Sequence, residues 1–241
     1  MQSGLYVALS AQVALEKRMN TVANNVANLN TGGFRADEVK FETLLSQAGS
    51  QSVAFPTSGE TFISRRTGPV TKTDNPLDVA IQGDAWFAFN SPSGPVYTRD
   101  GRMKVTETGE LQTMDGHPVL DIGGAPILLD PQAGPPSIGR DGMITQGGNQ
   151  VGALGMFRID PQSRLTRYEN SGVVPSMPAV PVQDFTAISV QQGFAEGANV
   201  NPIMEMTKLI MISRTFDSAA TTIQETESSL MSAIKTLGPS A

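Results

Sequence analysis

The chain contains no cysteine, which excludes disulfides, thiolate metal sites and thiol catalysis and leaves folding indifferent to redox compartment. Histidine is almost absent too. The only one, His117, lies in DGHPV, a turn before a strand, with no second imidazole for a metal site and no nucleophile elbow beside it. Positive charge is also short: 17 Lys and Arg face 23 Asp and Glu, for a net charge of -6. No basic run exceeds the pairs Lys17-Arg18 and Arg65-Arg66, so the surface repels phosphate backbones and anionic lipid. Long apolar runs are missing as well. Gln12, Glu16, Lys17 and Arg18 interrupt the N-terminal stretch before a signal peptide or membrane span could form. Nucleic-acid binding and membrane insertion are therefore not expected, and any export would use a route without a cleaved signal peptide.

Catalytic groupings are equally thin. Asp74 with Asp78, or Glu107 with Glu110, are spaced for acid and base work, but acids beside turns are commonly just exposed. The glycine-rich stretch GRDGMITQGG lacks both a Walker lysine and the strand-to-helix setting of a nucleotide loop. No enzyme activity, cofactor or metal is expected.

What the sequence does have is two ends that match each other. Leu5, Ala8, Gln12, Leu15, Met19, Val22, Val26 and Leu29 alternate steps of three and four, as do Leu209, Ile212, Phe216, Ala219, Ile223, Thr226, Leu230, Ala233 and Leu237. That spacing draws one narrow apolar seam along each helix and calls for a partner helix. The first helix is predicted over residues 3–29, capped by Ser3 and stopped by NTGGF; Gly32 and Gly33 would turn the chain by taking positive φ. Asn201-Pro202 starts the second, which runs to about Leu237. Isolated helices of this kind are marginal in water, so both are expected to be mobile in the free monomer and ordered on assembly.

Between them, 24 Gly and 16 Pro imply many turns. Residues 31–75 read as an extended arm with little core, in which GFRADEVKFETLLSQ could form a short helix and Arg65, Arg66 and Lys72 are available for lateral ion pairs. Residues 76–185 read as an antiparallel β domain, with Trp86, Phe87, Phe89, Val105, Leu111, Val119, Met156, Phe157 and Ile159 as core candidates. Residues 186–200 form a return segment. The predicted organisation is an assembly helix at 1–30, the arm, the β domain, the return segment and a second assembly helix at 201–241. The fold class is α+β, with the terminal helices pairing as a coiled-coil-like domain around an all-β, mostly antiparallel centre.

Ala23 to Arg35, ANNVANLNTGGFR, resembles the N-terminal signature of the bacterial flagellar rod, hook and hook-associated family. DNPLDVAIQGDAWFAF, YTRDGRMKVTETGELQTMDGHPVL and the segment from Glu196 onward are similar to stretches shared by its rod and hook members, apart from Asp84-Ala85-Trp86-Phe87 where Gly-Phe-Phe is usual. Length and the segment before LDVAIQG point to a proximal rod subunit, with a distal rod or hook subunit as the alternative. The resemblance implies a structural part of the basal-body rod, a hollow drive shaft that crosses the periplasm and encloses the export channel. Implied partners are other rod subunits, copies of itself and the flagellar type III export apparatus. The expected assembly interface comprises Leu5, Leu15, Met19, Val22, Asn24, Asn25, Val26, Asn28, Asn30, Gly33, Phe34, Leu209, Ile212, Phe216, Ile223 and Leu230. Their asparagine amides, able to donate and accept at once, would cap the helix end and tie the reversal to neighbouring backbone.

Overall fold

The structure is a computed structural model that describes residues 2–40, 43–46, 53–56 and 59–237; side chains of 2–8, 43–46, 53–56, 227, 230, 233, 234 and 237 are outside the description. It is an α+β fold, as the sequence predicts, with a helix at each end and antiparallel sheets between. Two compact units compose it. One comprises Met1–Ala27, Asp37–Phe62 and Asn201–Ala241, the other Asn28–Ala36 and Ile63–Val200.

The helical unit is built on α1 (Gln2–Ala27) and α2 (Pro202–Leu237), 26 and 36 residues long. At 1.5 Å per residue these are rods of roughly 39 and 54 Å. Asn201 caps α2: its Oδ1 accepts from Met204 N at 3.1 Å, its carbonyl accepts from Glu205 N at 3.0 Å, and Pro202 occupies the first turn, where no N–H is required. The start of α1 differs from expectation, because Gln2 is already helical and Ser3 lies within the helix. The two helices lie against each other. Of the described seam positions Val22 and Ile212 are buried and the others half-buried, while Ala14, outside the predicted seam, is buried as well. The described residues of GFRADEVKFETLLSQ are not helical; Phe41, Glu42 and Gln47 lie outside the description. Asp37–Lys40 and Thr43–Ser46 are strands, the latter paired antiparallel with Val53–Pro56, because β-branched Val39 and Thr43 suit a pleated strand better than a helix face.

The β-rich unit holds a six-stranded antiparallel sheet in the order Leu165–Tyr168, Gly172–Pro175, Gly94–Thr98, Trp86–Ser91, Met156–Arg158, Val180–Pro181. A three-stranded sheet (Ser137–Ile138, Met143–Gln146, Asn149–Ala153) and two-stranded ladders accompany it. Trp86–Ser91 explains why WFAF reads as continuous rather than alternating. Successive side chains point to opposite faces, and both faces are covered. Phe87 joins one core with Val79, Ile81, Leu111 and Met156, whereas Trp86 and Ala88 join a second with Tyr97, Phe157 and Ile159. Of the expected core residues only Val105 is partly exposed. Gln191 and Gln192 of the return segment pair with Ala80 and Val79 in the ladder of Ser189–Gln192 on Val79–Gln82, so this stretch belongs to the β-rich unit.

Candidate assembly interface

At the end of α1 the asparagines act on backbone. Asn25, 3% exposed, accepts from Asp37 N at 2.8 Å and donates to Asp37 O at 2.9 Å, so one amide reads both backbone groups of the returning chain. The same Nδ2 donates to Glu205 Oε2 at 3.3 Å, which ties α1 to the first turn of α2. Asn24 donates to Asp37 Oδ2 at 2.7 Å. An Asn25→Ala chain empties a buried site and removes the partner of both Asp37 backbone groups, and a loss of about 2 kcal/mol is expected. Asn24 is only half-buried, and its alanine variant should lose about 0.5–1 kcal/mol. Thermal melts followed by far-UV circular dichroism check the difference, and equal losses would refute it.

Beyond α1 the chain turns within the β-rich unit. Thr31 Oγ1 lies 3.1 Å from Asn28 Oδ1 and Thr31 N donates to Asn28 O at 3.1 Å. Only Gly33 takes the positive φ expected of the glycine pair, at 63°; Gly32 is placed differently, with a Cβ there meeting the Arg102 guanidinium at 2.6 Å. Gly33 N donates to Glu196 O at 2.8 Å, and Ala36 N donates to Asn199 Oδ1 at 2.6 Å. Asn199 N in turn donates to Phe34 O at 3.1 Å, and its Nδ2 donates to Arg66 O at 2.7 Å. A stretch ahead of α2 thereby templates the stretch after α1.

At the centre is a buried ionic cluster. Glu196, 1% exposed, receives Arg35 Nη2 on Oε1 at 2.7 Å, Arg99 Nε and Nη2 on Oε2 at 2.8 and 2.7 Å, and Gly68 N on Oε1 at 3.0 Å. Arg99 also donates to the carbonyls of Ile81 and Gly83, at 2.8 and 3.0 Å, and to that of Ala85. Arg35 donates to Arg66 O and stacks over Trp86, 5.6 Å from its centroid. Burial lowers the Arg35 guanidinium to about 10; Glu196 opposes that shift and Arg99 adds to it. Arg35 thus remains charged at neutral pH, and the single carboxylate that it shares with Arg99 is indispensable. Phe34 is buried under Arg167, whose Cζ stands 4.4 Å from the ring centroid and whose Nη2 donates to Arg35 O at 2.6 Å.

The expected interface residues fall into four groups. Val22, Asn25, Gly33, Phe34 and Ile212 are buried within the single chain. Leu15, Met19, Asn24, Val26, Asn28, Leu209, Phe216 and Ile223 are half-buried and Asn30 is exposed. The side chains of Leu5 and Leu230 lie outside the described residues. A second surface was not expected. Ile203, Met206, Ile210 and Met211, at i, i+3, i+7 and i+8, share one face of α2 with Met204 at its margin, and all five are 52–78% exposed. Nine residues, about two and a half turns, separate Ile203 from buried Ile212, so this face is opposite the seam. On α1, Leu9 and Val13 are also half exposed.

Three family profiles match in turn: "Flagella basal body rod protein" at residues 5–35, "Flagellar hook protein FlgE/F/G D1 domain" at 80–146, and "Flagellar basal body rod FlgEFG protein C-terminal" at 191–236. The flagellar basal-body rod protein FlgF of Mesorhizobium japonicum is 53% identical over 99% of both chains, and that of Rhizobium meliloti is 51% identical over 100% of both. This chain belongs to the flagellar basal-body rod protein family. The Bacillus subtilis rod protein FlgG is more distant, at 29% identity over 90% of this chain and 92% of its own. This rod-family chain is thus a structural, FlgF-like subunit.

In the rod-family chain the first and last profiles meet at the ionic cluster, Arg35 closing one and Glu196 lying in the other. Reasoning from sequence gave no role to Arg99, Glu196 or Asn199. The available signal was Arg35 itself, a cation between apolar Phe34 and Ala36 that needs a carboxylate once buried. Arg65 donates to the carbonyls of Ile159, Asp160 and Ser163, so it braces its own unit. Lys72 pairs with Asp74 in an exposed bridge. His117 stacks on Phe89 at 5.0 Å between centroids and lies 3.1 Å from Glu169, a structural placement. Among the described residues no group of three or more His, Cys, Asp or Glu could hold a metal ion, and no helix is long and apolar enough to cross a membrane.

Proposed function

We propose that this chain is a subunit of the proximal rod, polymerising helically into the hollow shaft that carries torque across the periplasm and encloses the export channel. The terminal helices, paired in coiled-coil fashion, form its inner layer. Copies of the chain, the other rod proteins and the export apparatus that delivers it without a cleaved signal peptide are its partners. The observation that carries this reading is the first three turns of α2, apolar on both sides while the single chain covers only one. An apolar face left open on a helix calls for cover, and here a neighbouring subunit supplies it. The contact is taken to be heterologous, the outward face of α2 meeting a different face of the next subunit, so that it propagates instead of closing. The half-buried seam residues, among them Leu15, Met19, Leu209 and Phe216, keep surface for the same neighbours.

An Ile203→Lys, Ile210→Lys chain tests this. Both sites are exposed, so unfolding stability should move by no more than about 0.5 kcal/mol each, while rod incorporation and motility should be lost. Normal incorporation would refute the reading. A small tag at the Asp115-Gly116 turn, imaged in basal bodies, locates the subunit: a few copies of added density in the proximal rod support the reading, a long distal array moves it to the distal rod or hook.

A further inference from the structure

Sulfur occurs in this chain only as thioether, because 11 methionines stand beside no cysteine. Met103 and Met156 are closed into the core at 4% and 1% exposure, whereas Met204, Met206 and Met211 each expose more than half their surface on the outward face of α2. Past Met211 the corresponding outward positions turn polar, as Arg214, Asp217, Ser218 and Thr221. Met114, Met143, Met177 and Met231 are exposed too, but each stands alone, whereas three thioethers share the patch where Ile203 and Ile210 make the helix stickiest. A thioether open to water is open to a small oxidant, and its product is a strongly polar sulfoxide.

We propose that Met204, Met206 and Met211 form an oxidant-sensitive modification site that controls docking of the unassembled subunit, the reactive species being a peroxide. A sulfur lone pair attacks one peroxide oxygen, an S–O bond forms and the O–O bond breaks. The departing hydroxide takes the proton from the transferred oxygen and leaves as water, so sulfur is oxidised by two electrons and peroxide reduced by two. The adaptable apolar face becomes a row of S=O dipoles, which lose their water on docking without gaining donors. Docking of a neighbour then excludes peroxide from the same sulfurs, so assembled subunits are protected and only free ones are censored. This rests on the assembly reading above.

The test treats the full-length chain with hydrogen peroxide, maps oxygen uptake by peptide mass, and follows polymer by sedimentation. Met204, Met206 and Met211 should oxidise in the free chain and resist in polymer, while Met103 and Met156 resist in both. Prior oxidation should raise the concentration needed for polymer about tenfold or more, with helix content unchanged, and methionine sulfoxide reductase should restore it. A chain carrying Met204→Leu, Met206→Leu and Met211→Leu, swaps of similar volume, should polymerise, and its polymerisation should be insensitive to peroxide although exposed Met114 and Met231 still take up oxygen. Unimpaired polymer from chains oxidised at these residues, or equal peroxide sensitivity in the leucine chain, overturns the proposal and leaves the assembly reading standing. An untreated chain that forms no polymer overturns both.

Discussion

Replacing Glu196 by alanine is expected to destabilise the β-rich unit by about 3–5 kcal/mol, the range found when one member of a buried ion cluster is deleted. The carboxylate is the shared counter-ion of Arg35 and Arg99, whose side chains are 2% exposed. Without it two guanidinium groups stay together in a dry place, and Gly68 N loses its acceptor. For a unit of this size the loss corresponds to a drop in Tm of about 6–20 °C. Glu196→Gln should be nearly as damaging, because it removes the charge and turns an amide N–H toward a guanidinium. A double-mutant cycle separates this from loss of packing. Arg35→Leu should cost less in a Glu196→Leu background than alone, since removing both charges removes the desolvation penalty that each leaves in the other. Additive losses, or a Glu196→Ala loss below about 1 kcal/mol, would mean that water already reaches the arginines.

Gly33→Ala should be of similar size, for a different reason. Gly33 has φ of 63°, where an L side chain is strained by about 1–2 kcal/mol. Space is the larger obstacle: a Cβ would stand 2.1 Å from Asp100 N and 2.5 Å from Arg99 C, both backbone atoms that no side-chain rotation can clear. Either the turn lifts off or the strand end beneath it shifts, and the Gly33 N to Glu196 O bond goes with it. A loss of about 3 kcal/mol or more is expected in urea unfolding. Gly116→Ala is the matched control. It too has positive φ, 91°, yet the nearest atom to its Cβ is Gln112 Oε1 at 3.9 Å, so it should lose only the strain, about 1–2 kcal/mol. Equal losses at the two positions would show that close approach at Gly33 contributes nothing.

The terminal helices and the β centre were legible because they are written in short-range pattern. Heptad spacing marked Val22 and Ile212 for cover, and the unbroken run Trp86 to Phe89 is what a strand buried on both faces requires. The form of Asp37–Lys40 and Thr43–Ser46 was not legible, because propensity over so few residues is weak and pairing with Glu60–Ile63 and Val53–Pro56 decides it. What joins Arg35 to Glu196 lies in no local window. Position 35 shows a cation among apolar neighbours, but which of 23 acids answers it is settled by packing alone. The outward patch on α2 was hidden by its own neighbour, since the seam through Leu209, Ile212 and Phe216 already accounted for the helix's apolar content.

Arg35 and Glu196 are partners across most of the β-rich unit's sequence, and a chain made from its N-terminus meets them in that order. Until residue 196 is available, Arg35 and Arg99 have no counter-ion and Gly33 no acceptor, so the turn after α1 cannot be completed however much of the intervening sheet has formed. Closing so long a loop is an entropic cost met before its contacts reward it, which makes this a high-contact-order step and a slow one. The last element needed to finish the first is thus supplied late, and the timing of folding is set by the arrival of a single carboxylate.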